Sequence, residues 1–156
     1  MTPDELMKNA IKLSERKIHK NCGGPFGAVV AKNGDIISVG VNMVTSLNDP
    51  TAHAEVQAIR SACDKLKTFR LEGCEIYTSC EPCPMCLSAI HWARIEKIYY
   101  ANSRKDAAAL NFDDDFLYNE IGKQLHDRKI PMIRIMEKEA LKVFKQWEDK
   151  TDKVHY

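Results

Sequence analysis

A chain of 156 residues is long enough for one compact domain, and 44% hydrophobic with 29% charged residues is far from a disordered or collagenous composition. Lys and Arg total 23 against 22 Asp and Glu, so overall charge gives little help in attracting nucleic-acid phosphate. The charged N-terminus lacks the apolar stretch of a signal peptide, and no run approaches the roughly 20 apolar residues that span a bilayer. The expectation is a cytoplasmic protein with no membrane and no nucleic-acid partner, its six cysteines kept reduced.

In chain order, Thr2 and Glu5 form a capping box around Pro3, and Leu6, Ala10 and Leu13 recur at helical spacing, which predicts a first helix to about residue 20. "GGPFGAVVAKNGDIISVGVNMV" holds two apolar runs joined by Asn33-Gly34, a dipeptide that accepts positive φ at both centres of a type I′ turn; two antiparallel strands follow. After the turn residues "LNDPT", Val56, Ile59, Cys63 and Leu66 mark one face of a second helix starting near His53. "CEIYTS" reads as a strand, "PMCLSAIHWAR" as a helix with Pro84 in its first turn, and "EKIYYA" as a strand, an arrangement that implies a parallel crossover and so a mixed sheet. "DAAAL" is a short helix, "NFDDDFLYNEI" an acidic turn entering another, "IPMIRIM" a fifth strand, and Ala140, Phe144 and Trp147 stripe a last helix. With no repeats and no linker, the reading is a single α/β domain over residues 1–156, helices lying on both faces of a five-stranded sheet.

Three thiols within "CEPCPMC", Cys80, Cys83 and Cys86, point to metal in an intracellular protein. A ferredoxin-like run would place a fourth cysteine at position 90, which is isoleucine; Cys22, Cys63 and Cys74 remain as distant ligands for that reading. A closed zinc knuckle lacks its second half, because His19, His53, His91, His126 and His155 include no pair at knuckle spacing. "TAHAEV" supplies a better partner. His53 and Glu55, with Pro82, Cys83 and Cys86, complete H-x-E … P-C-x-x-C, the pattern of zinc nucleobase deaminases.

Three ligands, His53, Cys83 and Cys86, leave one tetrahedral position open, as hydrolytic zinc requires. Two thiolates at a helix start gain from its positive end. They also cancel the ion's charge, leaving it a weaker acid than a three-histidine site, so a carboxylate must take the proton of the attacking water, and Glu55 is placed for it.

At these residues the sequence resembles the cytidine deaminase-like zinc superfamily, and within it the bacterial guanine deaminases. "GGPFGAVV", "NDPTAHAEV", "YTSCEPCPMC", "HWAR", "FDDDF" and the terminal tyrosine carry the likeness over nearly the whole chain. The resemblance implies a three-layer α/β/α fold, one Zn2+ per chain, and hydrolysis of the purine guanine to xanthine and ammonia, with Glu55 carrying both protons. By default Phe26 is core, Asn42 turn chemistry, Asp113–Asp115 a solvated N-cap, Trp92 core near the metal and Tyr156 a frayed end. The resemblance makes Phe26, Asn42, Asp114, Trp92 and Tyr156 substrate contacts. It further implies a homodimer in which a C-terminal segment, about 137–156, is swapped so that Tyr156 closes the partner's pocket. Cys80 is expected to be a packed thiol outside the ligand set.

Guanosine deamination shares most of these motifs and stays open. A tRNA adenosine deaminase shares H-A-E and P-C-x-x-C, but neutral charge and the acidic "FDDDF" loop suit phosphate poorly. A structural zinc protein binding a partner would have no use for Glu55.

Overall fold

A computed structural model of the chain describes residues 1–18 and 21–156. They form two compact units, Met1–Tyr118 and Asn119–Tyr156.

In the first unit, helix α1 spans Pro3–Ile18. Its capping box is closed in both directions: the Thr2 N–H donates to Glu5 Oε2 at 2.8 Å and the Glu5 N–H to Thr2 Oγ1 at 3.3 Å. The stretch of this predicted helix beyond residue 18, and with it His19, lies outside the described residues. Strands β1 (Gly27–Lys32) and β2 (Asp35–Val41) are joined through Asn33 and Gly34, with φ of 53° and 81°, the double positive value a type I′ turn requires. A one-turn helix α2 (Val44–Leu47), unanticipated from sequence, follows β2, and α3 covers Ala54–Leu66. Strand β3 (Cys74–Cys80), helix α4 (Pro84–Trp92) and strand β4 (Lys97–Asn102) make the expected crossover, after which come α5 (Arg104–Ala109) and α6 (Asp114–Gly122), whose residues after Tyr118 belong to the second unit.

The sheet order is β2-β1-β3-β4. β1 runs antiparallel to β2 and β3, and β3 runs parallel to β4, so the sheet is mixed. Alternation along β1 sends Ala28 and Val30 to one face, where they pack with Ala54, Ala58 and Ala62 of α3 and Ile90 of α4. It sends Val29 and Ala31 to the other face, against Leu6 and Ala10 of α1. Helices thus cover both faces of the sheet.

The buried face of α3 is lined by alanines, while Ile59 and Cys63 are half-buried at its margin and Leu66 is exposed. The shift from the predicted stripe has a steric cause. A Cβ on Gly40 would stand 2.0 Å from the Ala54 carbonyl oxygen, so α3 approaches β2 too closely for large side chains to lie between them.

In the second unit, a 3₁₀ turn at Leu125–Asp127 precedes residues 131–136, which have no secondary structure, and helix α7 (Glu137–Asp149). The predicted fifth strand is therefore absent and the sheet has four strands, not five. "IPMIRIM" has β-forming residues but pairs with no strand among the described residues, and a strand exists only as part of a ladder. Its side chains are exposed, Ile133 at 83%. Met136 ends the segment in the left-handed region at φ 54°. No helix in the described residues is long and apolar enough to cross a membrane.

Candidate active site

Two helix starts build the centre of the first unit. His53 is the N-cap residue of α3 and Cys83 that of α4, both with extended backbones, so the first turns of the two helices carry Glu55 and Cys86. The His53 Nδ1 atom stands 3.6 Å from Cys83 Sγ and 3.5 Å from Cys86 Sγ. For zinc bonded at about 2.3 Å to sulfur and 2.0–2.1 Å to nitrogen, the S···N edge of a tetrahedron is about 3.5 Å. Both sulfur-to-nitrogen edges therefore already have the spacing of a zinc site, and the three donor atoms, all within 4.8 Å of one another, form the one such cluster among the described residues.

Proton placement agrees with that fit. The Cys83 thiol is drawn well below its ordinary range by a hydrogen bond from Cys86 and by His53, whereas Cys86 is pushed up by the neighbouring Cys83 and by burial. His53 is raised, chiefly by its contact with Cys83. A divalent cation would be held by both sulfurs as thiolates, so its binding would favour loss of the proton that Cys83 and burial otherwise keep on Cys86.

Glu55 is buried, and burial raises its pKa above the usual carboxylate range. Its Oε2 lies 3.4 Å from Cys86 Sγ and its Oε1 3.2 Å from the Thr78 hydroxyl on β3.

A cavity of about 270 Å³ opens over these groups. Phe26, Asn42, His53, Glu55, Cys83 and Asp114 all line it. Asn42 is buried, and its Oδ1 accepts the Val44 N–H at 3.2 Å, which turns its NH2 group, a donor, to other partners. Gly23 makes room for that amide, since a Cβ there would fall 2.1 Å from Asn42 Oδ1. Asp114 begins α6; burial is the main cause of its raised pKa, and Cys83 adds to it. Trp92 is not on the cavity wall and ends α4 at 62% exposure; Tyr156, in the second unit, is 71% exposed.

Two wall residues, Phe112 and Glu81, and the buried Thr78 beside Glu55 escaped the sequence reading. Phe112 meets Phe26 edge-on, ring centroids 4.8 Å apart at 79°, and holds that ring in place. The Glu81 carboxylate accepts the Arg104 N–H at 2.8 Å, tying the start of α5 to the rim. Thr78 could have been found, because alternation along β3 puts it on the same face as Ile76 and Cys80, a polar residue facing inward from a buried strand.

Comparison with known proteins agrees with this geometry. The chain is 47% identical over all 156 residues to guanine deaminase from Bacillus subtilis, with both proteins covered completely. It is 45% identical to the tRNA-specific adenosine deaminase of Aquifex aeolicus over 101 residues, 65% of this chain and 66% of that protein. The crystal structure of the Bacillus subtilis guanine deaminase superposes with a TM-score of 0.96 over 100% of this chain and 99% of the other. That of guanine deaminase from Nitrosomonas europaea gives 0.68 at 33% identity, covering 72% and 65%. Residues 1–102 match the cytidine and deoxycytidylate deaminase zinc-binding region, and the chain belongs to that family of zinc-dependent hydrolytic deaminases.

Proposed function

We infer that the chain is a zinc-dependent guanine deaminase, converting guanine and water to xanthine and ammonia. The observation that carries this reading is the likeness to the Bacillus subtilis guanine deaminase, which covers all 156 residues and so extends well past the zinc motif.

His53, Cys83 and Cys86 would hold the ion. When bound, zinc supplies the Lewis acidity that makes water acidic enough to lose a proton near neutral pH. Glu55 would take that proton as the water oxygen adds at C2 of the purine and pass it to a ring nitrogen, then take the second proton from the added hydroxyl and give it to the amine, which leaves as ammonia when the C2–N bond breaks and the carbonyl of xanthine forms. A carboxyl group whose burial makes it hold a proton more firmly than an exposed one suits this double task. The Asp114 carboxylate accepts from the adjacent N1–H and 2-amino donors of guanine, Asn42 gives its NH2 to an acceptor on the purine edge, and Phe26, braced by Phe112, offers a ring face. A cavity of about 270 Å³ lies near the ~300 Å³ lower end of small-molecule sites, which favours a bare base over a nucleoside.

The active form in this reading is a cytoplasmic homodimer. Among residues 119–156 no side chain is buried, and Ile130, Ile135 and Phe144 are exposed by more than two thirds, an apolar surface that a second copy would cover. Exchange of the segment about 137–156 would bring Tyr156 to the rim of the other subunit's cavity.

The test is ammonia release by the zinc-loaded protein from guanine, guanosine, adenine, cytosine and cytidine. Release from guanine alone supports the reading; release only from guanosine replaces it with nucleoside deamination.

A further inference from the structure

Glu55 presents two oxygens with different surroundings. Oε2 faces the thiol of Cys86, on the metal side; Oε1 faces away, 3.2 Å from Thr78 Oγ1. The torsion that exchanges these oxygens is an sp3–sp2 rotation, broad and soft by itself, so the rotamer of Glu55 does not hold the plane of its own carboxyl group. Thr78 can. Its side chain is 1% exposed, and its backbone is paired on both sides, with Ala28 of β1 and Tyr100 of β4, at the middle of the sheet. A hydroxyl fixed on a doubly paired strand is a more rigid support than one on a loop.

The hydroxyl has two acceptors in reach but a single proton: Glu55 Oε1, and the Cys80 carbonyl oxygen at 2.9 Å. Because a hydroxyl can donate or accept, the contact with Glu55 persists whichever of the two groups holds the proton between them. The Cys80 carbonyl is available to take the Thr78 proton when Glu55 donates.

We propose that Thr78 is the positioning residue of the catalytic carboxylate, fixing Oε1 so that Oε2 is the oxygen presented to the reacting water. The proposal rests on the assignment of Glu55 as the proton carrier. It predicts a loss in turnover and not in substrate affinity, since Thr78 is absent from the cavity wall.

The experiment compares the zinc-loaded wild type with Thr78→Val, Thr78→Ser, Thr78→Ala and Glu55→Gln on guanine, measuring kcat, KM, zinc per chain and Tm. Thr78→Val is expected to lower kcat about ten- to hundredfold, as is usual when the support of a metal-site group is removed, with KM within about threefold and zinc still at one per chain. Thr78→Ser, which keeps the hydroxyl, should recover most of the rate. Thr78→Ala serves the same comparison if the valine variant does not fold. Full activity in Thr78→Val, equal loss in the serine and valine variants, or a loss explained by missing zinc or a lowered Tm overturns the proposal. Those results are distinct from failure of the functional reading, in which the wild type itself releases no ammonia from guanine, or Glu55→Gln turns over normally.

Discussion

Residues 1–118 and 119–156 treat apolar surface in opposite ways. The first unit buries both faces of its sheet and then spends that dry interior on polar groups: Glu55, Thr78 and Asn42 are all nearly inaccessible. The second unit buries none of its side chains, although Leu141, Phe144 and Trp147 recur along α7 at the spacing of a core-facing helix. Chemistry needs an enclosed region with perturbed acids, and the proposed dimer would need an apolar face left uncovered; in that reading the chain keeps the two requirements in separate stretches.

The largest expected effect comes from the enclosed region. Glu55→Gln removes proton transfer while keeping shape, so turnover of guanine should fall by about a hundred- to ten-thousandfold with one zinc per chain retained. Ammonia release and metal analysis on the same preparation check it. Burial already opposes the charged form of Glu55, so the neutral amide should leave Tm unchanged or raise it. A variant that loses zinc along with activity would make Glu55 part of the metal site's support instead of its proton carrier.

Asp114→Asn comes next. In the proposed site this replaces a charged acceptor of two substrate donors, and kcat/KM for guanine should fall about ten- to hundredfold. The wild type sharpens this through pH. The pKa of Asp114 lies above its ordinary value because burial disfavours the charged form, so the acceptor is lost earlier than for an exposed aspartate as pH falls. KM for guanine should therefore rise on acidification, starting above the usual aspartate range, while KM of the asparagine variant should not follow.

The uncovered region is broken by Phe144→Glu. In a lone chain this side chain is 73% exposed and a charge there would cost almost nothing. In the proposed dimer it would bury a charge without a partner. The expected result in light scattering is a fall from the mass of two chains to that of one, and, with Tyr156 no longer delivered across the interface, a drop in activity on the order of tenfold. Unchanged mass and activity would make residues 119–156 an ordinary solvated surface.

Legibility followed the same division. Capping box, type I′ turn, crossover and H-x-E … P-C-x-x-C were all readable before the structure because each is a local pattern whose partners lie within the same unit. The donors His53, Cys83 and Cys86 come together because two helix starts, which sequence signals mark well, follow β2 and β3, strands that run in the same direction on either side of β1. "IPMIRIM" was misread for the complementary reason: β propensity describes a segment, whereas a strand needs a ladder partner the described chain does not offer it. The alanine face of α3 was missed because the closeness demanded by Gly40 is a property of the α3–β2 contact and of neither element alone. Phe112 was passed over beside three aspartates, its role visible only from the ring it meets.

Cys80 gives the smallest effect and the finest division, inside the enclosed region itself. In "CEPCPMC" three thiols at equal spacing are equal candidates, yet only Cys83 and Cys86 join the cluster with His53. Cys80 is buried at the end of β3, with Sγ 3.6 Å from the Ser103 carbonyl oxygen, and burial, with nearby Asp114, pushes its pKa up to about 11. It should thus remain a neutral thiol where the other two are thiolates on zinc. Cys80→Ala is expected to keep one zinc per chain and to change kcat/KM by less than about threefold. Linkage supplies an independent reading: a thiol that ionises near 9 when unfolded and near 11 when folded leaves stability untouched below 9 and lowers it as pH rises from 9 to 11. The alanine variant should lose that part of the alkaline decline in thermal stability, and a fall in its zinc content would instead place Cys80 among the ligands.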